Sequence, residues 1–444
     1  LEATAGIRAP AAWDLATGTG VVVAVIDTGV RPHADLSGQL VAGYDMIAQT
    51  ATANDGGGRD ADASDPGDWA SAGQCGTGEP ANNSSWHGTH VAGTIAARTN
   101  NSLGIAGIAF NAKIQPVRVL GRCGGYTSDI ADGMIWAAGG TVSGVPANAT
   151  PSKVLNLSLG GGGACDSTTQ AAINSARSRG ATVVVAAGNS NANASGFNPA
   201  SCAGVVNVAA TDRYGSRSYY SNYGASVDLA APGGDVRSSA SNGILSTLNA
   251  GTSTPGADNY AFYQGTSMAA PHVAGVAALM YSVKPTATPD QIEAALKSSA
   301  RAFPGTCSQC GVGLLDAAAA VTAINGPTGV IAEAEPNNSR TAAQLISAPG
   351  TVSGGLSASS DTDYFRINLP AGKTLTATLT MGSTIDYDLY LQNSSGGQLK
   401  ASENSAGQAD SLTYKNTGTT TLTVYVRVAY YSGGASSYSL NLGW

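Results

Sequence analysis

Val21-Val22-Val23-Ala24-Val25-Ile26-Asp27-Thr28-Gly29 is the stretch on which the fold turns. From Val21 to Ile26 no polar residue alternates with the apolar ones. Both faces of the segment are therefore buried, as in a parallel strand covered by helices on each side. Four further runs share the pattern: Ile114 to Val119, Val154 to Leu157, Thr182 to Ala187 and Val205 to Val208. Helical segments fall between them. One is expected from Asp166 or Ser167 to Gly180, with Arg177 and Arg179 suited to its negative end. Another opens at Thr288-Pro289-Asp290-Gln291, a cap, a first-turn proline and a glutamine set for a capping box. Strands and helices alternating over about 320 residues predict an α/β domain, a parallel sheet sandwiched by helices.

The pattern changes after Asn325-Gly326-Pro327. Leu375, Ala377, Leu379 and Met381 alternate with Thr, and Leu422, Val424, Val426 and Val428 alternate with Thr423, Tyr425 and Arg427. Period-two runs between Gly/Ser turns predict an antiparallel β-sandwich with one wet face. The expected organisation is 1–325 as the α/β domain, 326–332 as a linker and 333–444 as the sandwich.

The 444 residues are 43% hydrophobic and only 11% charged, where soluble domains usually carry ~25% charged residues. This suits a compact, loop-rich, secreted chain. A net charge of −7 argues against nucleic acid, which needs a basic face. No apolar run approaches the ~18–20 residues of a membrane span. Leu1-Glu2-Ala3 lacks the basic and apolar stretch of a signal peptide, so a secreted form is expected to be mature, its pro-segment already cleaved. Six cysteines without clustered ligand spacing read as three disulfides made in an oxidising compartment. Cys307-x-x-Cys310 has the spacing of a redox or zinc motif, but no second such pair stands nearby, and a structural bridge is expected.

Three short segments carry chemistry. Asp27 closes a buried strand, at the edge where open α/β sheets place their sites. His87-Gly88-Thr89-His90-Val91-Ala92-Gly93 begins a helix. Gly265-Thr266-Ser267-Met268-Ala269-Ala270-Pro271-His272-Val273-Ala274-Gly275 begins another, apolar all round and therefore buried. Ser267 thus stands where unpaired helix N–H groups point outward. A serine hydroxyl is a poor nucleophile until a base takes its proton and a carboxylate orients the base. Taken singly, Asp27 reads as a turn residue, Ser267 as a helix cap, and His87 with His90 as a metal pair. Taken together, in the order Asp, His, Ser, they match a known triad order. On these blocks residues 1–325 resemble the subtilisin-family serine peptidases. The resemblance implies a subtilisin-like fold, peptide-bond hydrolysis, and Asp27, His87 and Ser267 as the triad.

It also implies that Asn189, in Ala186-Ala187-Gly188-Asn189 at the end of another buried strand, joins the Ser267 N–H as oxyanion donor. Peptide substrates are held as an added strand. The implied walls are Gly124, Gly125 and Tyr126 on one side and Ser158, Leu159 and Gly160 on the other. A specificity pocket is expected near Gly160 to Gly162, Ala187 to Asn189 and Phe197 to Pro199. His33, His90 and His272 read as structural.

Asp55, Asp60, Asp62, Asp65 and Asp68 crowd one Gly- and Pro-containing loop. Such charges repel unless a cation gathers them, and hard carboxylate oxygens suit Ca²⁺. Asp60, Asp62, Asp65 and Asp68 are the expected ligands. The resemblance implies a second Ca²⁺ site from Asp35, the Asn101 side chain and the carbonyls of Thr99, Leu103 and Ile105. The loop carries an extra residue there, and an N-terminal ligand of some members is missing. One to three structural Ca²⁺ ions are expected in all. Many cysteine pairings are open; those expected are Cys75–Cys123, Cys165–Cys202 and Cys307–Cys310.

Glu333-Ala334-Glu335-Pro336-Asn337-Asn338, Asp361-Thr362-Asp363-Tyr364-Phe365 and Asp386-Tyr387-Asp388-Leu389 resemble the prepeptidase C-terminal domains of secreted bacterial peptidases. Related collagen-binding modules hold calcium through similar residues, which makes Glu333, Glu335, Asn337 and Asp363 candidates. The expectation is a secreted, monomeric, calcium-stabilised serine endopeptidase acting on proteins and peptides. Its sandwich is either a passenger or a module for insoluble matrix protein. The rivals are an adhesion protein built on an inactive shell and an HxxH metallohydrolase.

Overall fold

The computed structural model describes residues 4–324 and 330–444. The chain divides into two compact units, Leu1–Ile324 and Asn325–Trp444. In the first, the strands are β1 Val22–Asp27, β2 Tyr44–Asp45, β3 Lys113–Arg118, β4 Val154–Leu157, β5 Gly161–Gly162, β6 Thr182–Ala186, β7 Phe197–Asn198, β8 Val206–Thr211, β9 Leu229–Pro232, β10 Ile244–Asn249 and β11 Asp258–Tyr263. The longer helices are α1 His87–Ala96, α2 Thr127–Ala137, α3 Ser167–Ser178, α4 Thr266–Val283, α5 Pro289–Ser298 and α6 Ala317–Ile324.

Seven strands form one sheet in the order β2-β3-β1-β4-β6-β8-β9. Every adjacent pair is parallel. The unalternated runs have a direct cause here. Val23 and Val25 of β1 pack into the core that holds α1 and α4. Ala24 and Ile26 face the opposite core, with α2 and α3. Helix boundaries follow local chemistry. Asp166 caps α3 by accepting from Thr168 N and Thr169 N, and Gly180 beyond it has φ +84°. Thr288 and Gln291 form the reciprocal capping box of α5. Because the strands are parallel, β1, β4 and β6 all end on one edge, and the site gathers there.

The second unit holds β12 Val330–Ala332, β13 Gln344–Ile346, β14 Gly350–Leu356, β15 Thr362–Leu369, β16 Thr374–Met381, β17 Asp386–Asn393, β18 Gln398–Ser402, β19 Asp410–Lys415, β20 Leu422–Ser432 and β21 Ser436–Gly443. They make two five-stranded sheets, β12-β14-β21-β16-β19 and β13-β15-β20-β17-β18. Leu375, Ala377, Leu379, Val424, Val426 and Val428 fill one core. Two edge pairs, β12 with β14 and β13 with β15, are parallel rather than antiparallel. Successive strands from β12 to β15 alternate between the sheets, so each short edge strand meets its neighbour by crossover. Val330–Ala332, read from sequence as linker, is a strand; residues 325–329 lie outside the described residues.

Candidate active site

Asp27 is the last residue of β1 and is fully buried. The Thr28 N–H donates to its Oδ1 at 2.7 Å. His87 opens α1, and its Nδ1 lies 2.8 and 2.9 Å from the two Asp27 oxygens. Nδ1 thus carries the proton that Asp27 accepts, which leaves Nε2 as the free base. The His87 side chain is 21% exposed. Burial works against a charged imidazole, but the Asp27 charge and hydrogen bond, with Asp68 and Asp65 behind them, outweigh it. Together they hold His87 above its ordinary range.

Ser267 is the second residue of α4, so its N–H belongs to the unpaired first turn. Its hydroxyl donates to the Ser158 carbonyl at 3.1 Å, and no hydrogen bond joins it to His87. Ser158 Oγ donates in turn to the Ser267 carbonyl at 2.8 Å. That carbonyl is free because Pro271, four residues on, has no N–H to offer.

Asn189 is exposed, and its Oδ1 accepts from Thr266 N and Thr266 Oγ1, both at 2.9 Å. The amide is thereby fixed with Nδ2 as its free donor. A Cβ placed on Gly265 would lie 3.6 Å from both Asn189 Nδ2 and Ser267 N. The two donors therefore flank one small volume. Gly265 keeps that volume clear and takes φ +154°, ψ +160°, a conformation open essentially to glycine alone.

His87 lines a cleft of about 660 Å³ together with Gly124, Gly125, Ser158, Leu159 and Gly160. Gly161, Gly162 and Asn198, which belong to the paired strands β5 and β7, line it as well. Tyr126, expected in the wall, is not among the lining residues; it precedes α2 and is 49% exposed.

Residues 18–313 match the profile described as the subtilase family. The chain belongs to the subtilase family. Residues 361–428 match the bacterial pre-peptidase C-terminal domain. An extracellular protease of Xanthomonas campestris is 60% identical over 325 residues, covering 72% of this chain and 55% of that protein. Thermitase of Thermoactinomyces vulgaris is 38% identical over 317 residues, covering 71% of this chain and 93% of that protein. A solved protease of Pseudoalteromonas arctica is 64% identical with a TM-score of 0.71, covering 72% of this chain and 95% of that one. The chain spans about half the length of the first curated relatives it matches, 55% and 54%.

The expected aspartate cage of this subtilase does not form as one group. Among the described residues, the one group of three or more His, Cys, Asp or Glu with ligand atoms within 4.8 Å of one another is Glu333, Glu335 and Asp363. Asp60 and Asp62 instead cap their own loop, accepting from Asp62 N at 2.8 Å and Ser64 N at 3.0 Å. Asp55 and Asp45 pair with the buried Arg118, which already offsets charge in that loop. Asp65 is buried beneath the site: its Oδ2 accepts from Thr28 Oγ1 at 2.6 Å and its Oδ1 from Gly67 N at 2.8 Å. Burial pushes its carboxyl up to about 7. Asp68 faces the cleft.

The second expected set does converge in part. The buried Asp35 accepts from Asn101 Nδ2 at 2.7 Å, Ile105 N at 3.1 Å and Tyr260 Oη at 3.3 Å. Thr99 and Leu103 lie in the same loop, where Leu103 N donates to Asn101 Oδ1 at 3.1 Å. The cysteines pair as Cys75–Cys123, Cys165–Cys202 and Cys307–Cys310. Cys75 and Cys123 both line the cleft.

Four contributors escaped the sequence reading: Thr28, Asp65, Thr266 and the double link between Ser158 and Ser267. Thr28 Oγ1 donates to Asp65 and accepts from Gly88 N at 3.1 Å, tying the strand end to the helix that carries His87. Pro271, placed four residues after Ser267, was the one sequence signal for the freed carbonyl that Ser158 takes up.

Proposed function

We propose that this chain is a secreted serine endopeptidase that cleaves proteins and peptides through an Asp27–His87–Ser267 triad. The observation that carries the reading is the Asp27–His87 pair, 2.8 Å apart, with His87 on a cleft whose wall residue Ser158 is hydrogen-bonded to Ser267, and with two free N–H donors, Asn189 Nδ2 and Ser267 N, flanking Gly265. Turning Ser267 about χ1 between staggered wells releases its hydroxyl from Ser158, and apo sites often tighten only with substrate bound. Ser267 Oγ then attacks the peptide carbonyl carbon while His87 Nε2 takes its proton. Asn189 and the Ser267 N–H hold the oxyanion. His87 returns the proton to the leaving amine as the C–N bond breaks, and water, deprotonated by His87, releases the acyl group.

Extracellular relatives and three disulfides support secretion. Two sets of hard oxygen donors fit Ca²⁺ as a structural ion. One is the Asp35 carboxylate with the carbonyls of Thr99, Leu103 and Ile105, which the Asn101 side-chain oxygen joins only by giving up its bond from Leu103 N. The other is Glu333, Glu335 and Asp363 with Asn337. There the buried Asn337 Oδ1 and Asp363 Oδ1 have no hydrogen-bond partner. Burial, with the Glu333 carboxylate beside it, pushes the Asp363 carboxyl up to about 8, a crowding that a divalent cation relieves. A bound ion stabilises the fold and takes no part in the reaction.

Ser267→Ala tests the reading. It is expected to retain the fold and lose hydrolysis of a soluble protein substrate by at least about a thousandfold. A variant retaining more than that excludes Ser267 as nucleophile.

A further inference from the structure

Among the described residues, Asp68 is the only acid that lines the cleft, and no Lys or Arg lines it. It is clamped beside the histidine: its Oδ1 accepts from Ser85 N at 2.6 Å and its Oδ2 from Ser85 Oγ at 2.7 Å, two residues before His87. Among the described residues no cation pairs with it within 4.0 Å. The neighbouring arginines are engaged elsewhere. Arg122 lies 4.5 Å over the Trp69 ring and donates to Trp69 O at 2.9 Å, and Arg31 donates to Asp65 O at 3.3 Å.

A carboxylate has about four acceptor sites, and Ser85 uses two. An apolar substrate side chain laid over the remainder strips water from an unpaired charge, which is costly, whereas an ammonium or guanidinium there is favoured. Cleft walls focus this effect. We infer that Asp68 gives the enzyme a preference for Lys or Arg at the substrate position that lies against the His87 face of the cleft. The inference rests on the peptidase reading above and names the substrate class of that site.

The test is kcat/KM of the full chain on peptides carrying Lys, norleucine or Glu at one position at a time on each side of the scissile bond. One position is expected to favour Lys over norleucine by about three- to tenfold, and norleucine over Glu. The ratio is expected to shrink between ~10 mM and ~1 M salt, as the screening length falls from ~30 to ~3 Å. Asp68→Asn, which can still accept from Ser85, is expected to bring the Lys-to-norleucine ratio close to one. Glu79→Gln removes a charge from the same stretch outside the cleft lining and is expected to leave the ratio unchanged. Should Asp68→Asn fail to fold, the salt dependence of the parent's ratio decides. No Lys preference at any position, or one that survives both Asp68→Asn and high salt, overturns the inference. If the parent cleaves none of the peptides, the peptidase reading falls, and the inference with it.

Discussion

At the scale of single residues, the account turns on how His87 is held. Its imidazole must be neutral to accept the Ser267 proton, and its carboxylate neighbours favour the charged form. Activity is therefore lost as pH falls through a value above the ordinary histidine range of ~6.5. A kcat/KM profile whose acid limb lies below that range contradicts the assignment of the neighbours. Asp65→Asn removes a carboxyl that burial has pushed up to about 7, and that is charged mainly above that pH, and weakens the hold on Thr28. It is expected to move the limb to lower pH and to lower kcat by about tenfold, with KM little changed. A fall in melting temperature with an unmoved limb would make Asp65 purely structural. The contact of Asp27 with His87, and of Asn189 with the start of the helix that carries Ser267, was legible because each proposed participant stands in a distinctive block of sequence. Asp65 was not: five acids in one loop look alike as text. Packing sorts them: Asp65 lies under Thr28, Asp68 lines the cleft, Asp60 and Asp62 accept within their own turns, and Asp55 pairs with Arg118.

At the scale of elements, the parallel strands were legible because burial on both faces removes alternation, and the capping box of α5 was spelled out in four residues. Less legible were close approaches that only packing defines. A Cβ on Gly88 would meet the Gly29 carbonyl at 2.2 Å. Gly88→Ala is therefore expected to push α1 off the end of β1, lowering the melting temperature by about 4–10 °C and activity with it. An unchanged melting temperature on calorimetry would show that α1 has room to move. Asn189→Ala removes the proposed oxyanion donor together with the amide oxygen that accepts from Thr266 N and Oγ1 at the start of α4. It is expected to cost about 10²–10³ in kcat at nearly constant KM, measured on a short peptide. The parallel edges of the sandwich were missed because alternation reports which face of a strand is wet, not which way its neighbour runs.

At the scale of the whole molecule, the two-unit division was visible in the switch from unalternated to period-two patterning. A chain ending at Asn325 is expected to keep kcat/KM on a short peptide, since every proposed participant lies before that residue. Loss of that activity would tie the second unit to the cleft. Chelation is expected to lower the melting temperature of the full chain, because an ion bound only to the native state stabilises it by about 2.7 kcal/mol at a hundredfold excess over its Kd. A chelator-independent melting temperature contradicts structural calcium. Replacing Cys165 and Cys202 by Ser opens a span of 37 residues and is expected to cost about 3 kcal/mol in unfolding experiments. The most direct test of the central claim uses the chain as it stands: treatment with a sulfonyl fluoride, followed by mass-spectrometric mapping of the adduct. The account predicts one stoichiometric label on Ser267 with complete loss of activity. Inactivation with the label on another residue, or full activity with Ser267 labelled, would contradict it.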